Sequence, residues 1–180
     1  MKILEGTDKV DVARLQKDMA NIFGVNKLWG EPQVSLTSIN ADDEWFCSVG
    51  SFGAQYRKPE RMYSQVNKSL EGTYIAELIR EYKQYYRWRI LLVNPGQTYT
   101  VHSDAYGDRI NKRIHIPIIT NEDCYFCYYS EKVGDGIEAT VKHHHMPLGG
   151  VYEVNTSNLH CAVNYGQTPR YHMVGVRYEK

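Results

Sequence analysis

Arg87-Trp88-Arg89-Ile90-Leu91-Leu92-Val93-Asn94-Pro95-Gly96 marks a change in the character of the chain. The run before the turn is apolar and short, as a buried strand should be. Asn94-Pro95-Gly96 then reverses the chain, because Pro pre-sets the backbone angle of the second turn position and Gly accepts the positive one at the third. From Arg87 onward the sequence reads as brief β-rich runs broken by turn residues. These are Arg87 to Val93, Tyr99 to His102, Arg113 to Ile118, Tyr125 to Tyr129, Glu138 to His144, Val151 to Val154, Leu159 to Asn164 and Arg170 to Tyr178. Eight runs match the strand count of a jelly roll.

Ahead of this β region the periodicity is helical. Val12, Leu15, Met19 and Ile22 fall on one stripe, which predicts a helix from about Asp8 to Phe23, with Thr7 or Asp8 as its cap and Gly24 as its end. Ile75, Leu78, Ile79, Tyr82 and Tyr86 predict a second helix over about Thr73 to Tyr86. Both read as helices laid on a sheet by one apolar face. Between them the pattern is less regular, with Val34 to Ile39 and Trp45 to Val49 as candidate strands around the turn-rich Asn40-Ala41-Asp42-Asp43. The expected architecture is mainly β with flanking α-helices: a double-stranded β-helix over residues 87–178, preceded by a helical and mixed part, 1–86, that packs on the barrel. No repeat or low-complexity linker divides the 180 residues, so a single domain is expected.

Lys plus Arg and Asp plus Glu each total 21, so no net basic field exists to draw the chain onto nucleic acid. The apolar run around Ile90 to Val93 is too short to span a bilayer, and Met1 to Gly6 lacks the apolar core of a signal peptide. The expectation is a soluble, cytoplasmic protein with no nucleic-acid or membrane partner. Cys47, Cys124, Cys127 and Cys161 then read as reduced thiols packed as small apolar groups. Cys124 and Cys127 form a lone CxxC, and alternation along a strand sends their sulfurs to opposite faces.

His102-Ser103-Asp104 follows a strand, and residues two apart in extended chain point the same way, so an imidazole and a carboxylate can approach one point. Alone, such a triplet also fits a surface turn. Further on, His160, Ala162 and Asn164 share one strand face. After the turn 165–169, Arg170 begins a strand running back, which returns its guanidinium to the same end of the barrel. Two neutral imidazoles and one carboxylate form the facial triad favoured by non-haem Fe(II) oxygenases, leaving positions open for a bidentate cosubstrate and O2. Arginine suits the far carboxylate of such a cosubstrate, being always charged and able to donate two parallel hydrogen bonds. In Arg113-Ile114-His115-Ile116-Pro117-Ile118, alternation puts three isoleucines on one face and Arg113 with His115 on the other, as either a solvated strand face or a site wall.

Taken in order, the 89–96 run, the HxD triplet, Arg113-Ile114-His115, Gly150-Val151-Tyr152-Glu153-Val154-Asn155, His160 and Arg170 resemble the aspartyl/asparaginyl β-hydroxylase family of 2-oxoglutarate oxygenases. The resemblance covers about Trp88 to Val176 and is strongest in the step from His160 to Arg170. It implies that His102 and His160 ligate iron and that Arg170 binds one end of 2-oxoglutarate. It further implies that Arg113 with His115 contacts the cosubstrate or neighbouring substrate. The peptidyl hydroxylases that name the family lack the metal carboxylate, whereas free-proline hydroxylases with a similar core keep it, as Asp104 does here. The implied activity is Fe(II)-dependent hydroxylation of an amino acid, an amino-acid side chain or a similar small substrate, with 2-oxoglutarate and O2 consumed and succinate and CO2 released. The alternative is a non-catalytic, cupin-like metal- or ligand-binding module, since folds outlive their functions.

The remaining histidines read as structural. His143-His144-His145 lies on a strand, where neighbours alternate faces and cannot converge on one ion, so a partly exposed strand end near the site mouth is expected. His172 shares a face with Arg170 but reads first as a satisfied core histidine. Specificity is expected from the loop Ala105 to Lys112 and the segment Trp29 to Arg61, with Tyr106, Arg109, Trp45 and Trp88 as possible pocket residues. Substrate identity and oligomeric state are not written in these patterns.

Overall fold

The computed structural model describes residues 1–5, 8–50, 58–104, 110–129 and 140–179. It is a double-stranded β-helix. A six-stranded antiparallel sheet has the order β1 (Lys2–Glu5), β9 (Val151–Asn155), β6 (Ile110–Ile119), β11 (Arg170–Glu179), β5 (Tyr86–Val93) and β2 (Gln33–Ser35). Facing it is a three-stranded sheet of β10 (His160–Asn164), β7 (Cys124–Tyr129) and β8 (Val141–His144), and β3 (Thr37–Ser38) pairs β4 (Gln65–Val66) to one side.

The strands of the large sheet sort their side chains by face. Ile90, Leu92, Ile114, Ile116, Ile118, Tyr171 and Met173 point outward into the main core, where they meet Leu15, Met19 and Phe23 of α1 (Val12–Asn26) and Ile75, Leu78 and Ile79 of α2 (Tyr74–Glu81). Burying each such side chain stabilises the fold by about 2 kcal/mol. Of the alternate residues, Arg89, His115, Arg170 and His172 are also buried and Arg113 is half-buried. They face the barrel interior, where a smaller cluster of Phe126, Met146, Tyr152 and Val154 leaves room for polar groups. A strand that buries both faces in this way has one apolar and one chemically active side.

The helices are tied to each other and to the sheet by side chains. Asp18 of α1 accepts from the backbone N–H of Tyr74 (2.5 Å) at the start of α2, Arg14 pairs with Glu77 (2.9 Å), and Gln16 donates to the Ile118 carbonyl (2.8 Å). α1 is capped by Asp11, whose carboxylate accepts from Arg14 N–H, and not by Asp8; Thr7 lies outside the described residues. Gly24 lies inside the helix, which instead ends at Lys27 in the left-handed conformation. α2 starts where expected, with Thr73 as its cap, but stops at Glu81.

Three expected strands differ. Trp45 to Val49 forms turns, with Trp45 packed against the main core. Of Glu138 to His144, residues 130–139 lie outside the described residues and the strand starts at Val141. Tyr99 to His102 is not a regular strand, yet it runs beside β10: Gly96 and Tyr99 N–H groups donate to the carbonyls of Asn164 and Ala162, and His102 and His160 exchange both backbone bonds. Between the bridges Thr98↔Val163 and His102↔His160 the segment takes one step more than β10 does. Such an excess residue makes a β-bulge, which breaks the ladder and re-aims the side chains beyond it.

A second irregularity lies in the large sheet, where β11 shifts register against β6 between Tyr171 and His172, opposite Pro117. Proline has no N–H to give to a ladder, so a bulge is its natural place in a central strand.

Candidate metal and anion site

The two bridged histidines face each other across the bulge, ring centroids 4.4 Å apart. Each is anchored in the same manner. His102 Nδ1 donates to the carbonyl of Thr100 (2.7 Å) and His160 Nδ1 to that of Asn158 (2.8 Å). A carbonyl only accepts, so both Nδ1 atoms carry a proton, and in the neutral ring it is Nε2 that keeps the lone pair for a ligand. Backbone anchors of this kind fix the tautomer and ring orientation of metal-binding imidazoles. His160 is buried and stacks on Phe126 at 5.2 Å, whereas the side chain of His102 is 42% exposed.

Asp104 closes the group. One carboxylate oxygen lies 3.7 Å from His102 Nε2 and the other 3.7 Å from His160 Nε2. The three ligand atoms fall within 4.8 Å of one another, and among the described residues this is the one group of three or more metal-ligating side chains so arranged. Asp104 is held at two points: its N–H donates to the Thr156 carbonyl (2.8 Å), and its carboxylate pairs with Arg113 Nη2 at 2.7 Å. Burial pushes the Asp104 carboxyl up, but Arg113, then His160 and His102, outweigh it and hold the group below the usual carboxylate range. Burial lowers His160 to about 4, with Asp104 opposing that shift. At neutral pH the cluster is therefore an ionised carboxylate beside an unprotonated His160, and a divalent cation fits that donor set.

Behind the cluster is a cavity of about 90 Å³ whose wall includes His102, His160, Arg89, Arg113, His115 and Arg170. Arg170 is fully buried and donates from Nη2 to His172 Nδ1 at 3.0 Å. Among the described residues no carboxylate pairs with it. Burial drops its pKa to about 10, against small opposing effects of Cys124 and Tyr99. His115 is buried with both ring nitrogens unpartnered. Burial, followed by Arg170 and Arg113, holds it well below the ordinary imidazole range, so it is neutral. Arg89 is oriented by Gln33, which accepts from Nη1 at 2.8 Å.

The structure thus brings His102, Asp104 and His160 together and puts Arg170, Arg113 and His115 on the same cavity. Other expectations change. Trp88 is wholly buried and packs in the main core, so neither it nor Trp45 lines the cavity. Tyr106 and Arg109 lie outside the described residues. Among the described residues His143, His144 and His145 join no group of converging metal ligands; β8 ends at His144, which meets Tyr128, and His145 bonds the Cys124 carbonyl. Cys124 and Cys127 do face opposite ways: Cys124 pairs with Asn164, Cys127 with Cys161, and all four cysteines are free thiols. Sequence reasoning missed Arg89, Tyr99 and Phe126 as cavity residues. A charged residue inside the apolar run of β5 was the available signal for Arg89.

No family model matches the chain and no curated protein matches it. Solved structures do. AviO1 from Streptomyces viridochromogenes Tue57 is similar with a TM-score of 0.53 and 12% identity, over 97% of this chain and 87% of that one. The non-heme monooxygenase ThoJ, as its nickel complex, is similar with a TM-score of 0.50 and 11% identity, over 96% of this chain and 71% of that one. Likeness at such identity establishes a common fold. No helix among the described residues is long and apolar enough to cross a membrane.

Proposed function

We propose that the chain is an Fe(II)- and 2-oxoglutarate-dependent oxygenase of the aspartyl/asparaginyl β-hydroxylase-like kind, hydroxylating an amino acid, an amino-acid side chain or a similar small substrate. One observation carries the reading: a His-Asp-His group with converging ligand atoms shares its cavity with a buried guanidinium that has no carboxylate partner among the described residues. Either half alone has bland explanations. Together they match a cation and a keto acid bound side by side.

His102 and His160 would hold iron through Nε2, and Asp104 through one carboxylate oxygen, leaving three positions open as a facial triad does. A structural zinc site would instead close with a fourth ligand, and among the described residues the group holds three. Arg113 keeps Asp104 ionised and aimed at the cluster. Arg170 would take the far carboxylate of 2-oxoglutarate, since a buried guanidinium gains most from an anion that replaces its lost water. His115 lies between, with nitrogens available to the cosubstrate or substrate. Phe126 covers one face of His160 and limits water there. Bound iron and keto acid supply the oxidising chemistry with release of succinate and CO2, while the protein positions and shields.

The test is a screen of free amino acids and short peptides for stimulation of iron-dependent succinate release. The proposal predicts stimulation by at least one of them. Absence of iron-dependent succinate formation under every condition would contradict it.

A further inference from the structure

Resting on that reading, we infer that His172 is a positioning residue for the cosubstrate: an uncharged acceptor that aims the Arg170 guanidinium without cancelling its charge. The sequence alone gives His172 a packing role. The structure gives it a partner.

Arg170 and His172 are two apart on β11 and share the inner face of the large sheet, the former opposite Val93 and the latter opposite Leu91. This stretch of β11 pairs with β5 without a break, so the strand period alone puts both side chains on that face; the extra residue at the shift against β6 is Ile118, on β6. Arg170 Nη2 lies 3.0 Å from His172 Nδ1, and both side chains are almost wholly buried. A guanidinium has no lone pair to offer, so it donates, Nδ1 accepts, and the imidazole proton sits on Nε2. Burial first, and then Arg170, hold His172 well below the ordinary imidazole range, which keeps it neutral and able to accept. His115, 5.8 Å away ring to ring, and the more distant His145 push in the same direction.

Why an imidazole serves here follows from charge. A long arginine side chain needs a fixed partner to hold its donors in one place, and a buried carboxylate would do this best. It would also neutralise the guanidinium and remove the attraction for an incoming anion. A neutral acceptor orients the group and leaves its positive charge for the ligand. The ligand class that benefits is a keto acid with a terminal carboxylate, whereas one ending in a methyl group gains nothing from an aimed guanidinium.

The experiment measures calorimetric affinities of the Mn(II)-loaded protein for 2-oxoglutarate and for 2-oxopentanoate, which ends in a methyl group. The variants are H172L, H172N and H172D, each with its melting temperature and Mn(II) affinity. H172L should weaken 2-oxoglutarate about 10- to 30-fold, the effect of one lost hydrogen bond to a charged group, and change 2-oxopentanoate less than about 2-fold. H172N, whose amide oxygen falls near the position of Nδ1, should stay within about 3-fold of the parent for both ligands. H172D should bind 2-oxoglutarate at least as poorly as H172L, because its carboxylate neutralises the cation. Equal losses for both keto acids, or no loss in H172L, would overturn the inference and leave the functional reading standing. Failure of the parent to bind 2-oxoglutarate would remove both. Should H172L fail to fold, the ratio between H172N and H172D decides: similar affinities for 2-oxoglutarate contradict the assigned role.

Discussion

The two walls of the site are built in opposite ways. On one side, His102 and Asp104 stand on an interrupted segment that touches β10 through isolated bridges, and their aim comes from hydrogen bonds to nearby backbone and from Arg113. On the other, Arg170, His172 and His115 stand on β11 and β6, the paired middle strands of the large sheet, and are held by strand register and near-complete burial. The first wall is adjustable and partly open to water. The second is rigid and buried. Cation ligands must shift slightly as an ion enters, whereas an anion pocket gains from being fixed beforehand, since ordering it on binding would subtract from affinity.

That contrast can be broken from either side. The largest effect is expected at the cluster: His160→Ala, and likewise His102→Ala, should weaken Fe(II) or Mn(II) binding by more than about 100-fold, beyond the effect of losing a supporting residue, and abolish succinate formation. Metal titration followed by a turnover assay checks both. Next, Arg170→Leu should raise the 2-oxoglutarate requirement by on the order of 100-fold, corresponding to about 3 kcal/mol of charge-assisted hydrogen bonding, with metal affinity nearly unchanged. Equal damage to both would mean that the walls are not separate. Arg113→Gln joins them: removing the partner of Asp104 should weaken metal binding about 10-fold, the lower end of what outer-shell partners contribute, as a titration of the purified variant would read. Asp104→Ala should exceed that loss.

The smallest effect concerns acid stability. His115 and His172 are both held well below the ordinary 6.5 by burial. The unfolded chain therefore takes up protons that the folded chain refuses, so their stabilising contribution is present above about pH 6.5 and is lost as pH falls beneath it. Each should steepen the fall of unfolding free energy by about 1.4 kcal/mol per pH unit below 6. Urea unfolding of metal-free protein between pH 6.5 and 5 should show this slope, and His172→Asn should flatten it by one proton. An unchanged slope in that variant would mean that His172 is not buried neutral.

The rigid wall was the more legible of the two in sequence. Arg113-Ile114-His115-Ile116 and Arg170 onward alternate apolar and polar residues, and a period of two fixes which side chains share a face wherever strands are regular. Seven of the eight β runs were readable for the same reason, Tyr99 to His102 being the exception, as was the start of α2 near Thr73. The irregular wall was harder. No local pattern announces the extra residue between Thr98 and His102, since a bulge is set by pairing with β10, some sixty residues further along. The same limit hid β1, whose pairing with β9 is a long-range contact, and misplaced the cap of α1, where Thr7, Asp8 and Asp11 are chemically equivalent until Val10 is buried and bonded to Gly149. Arg113 could be placed on the inner face, but its bond to Asp104 could not, because it depends on where the bulged segment ends.

The most direct test of the central claim is the visible absorption of the anaerobic Fe(II) protein before and after adding 2-oxoglutarate. If His102, Asp104 and His160 hold iron beside the Arg170 pocket, the keto acid will chelate the metal and the spectrum will gain absorption that neither component shows alone. An unchanged spectrum with iron demonstrably bound would contradict the account.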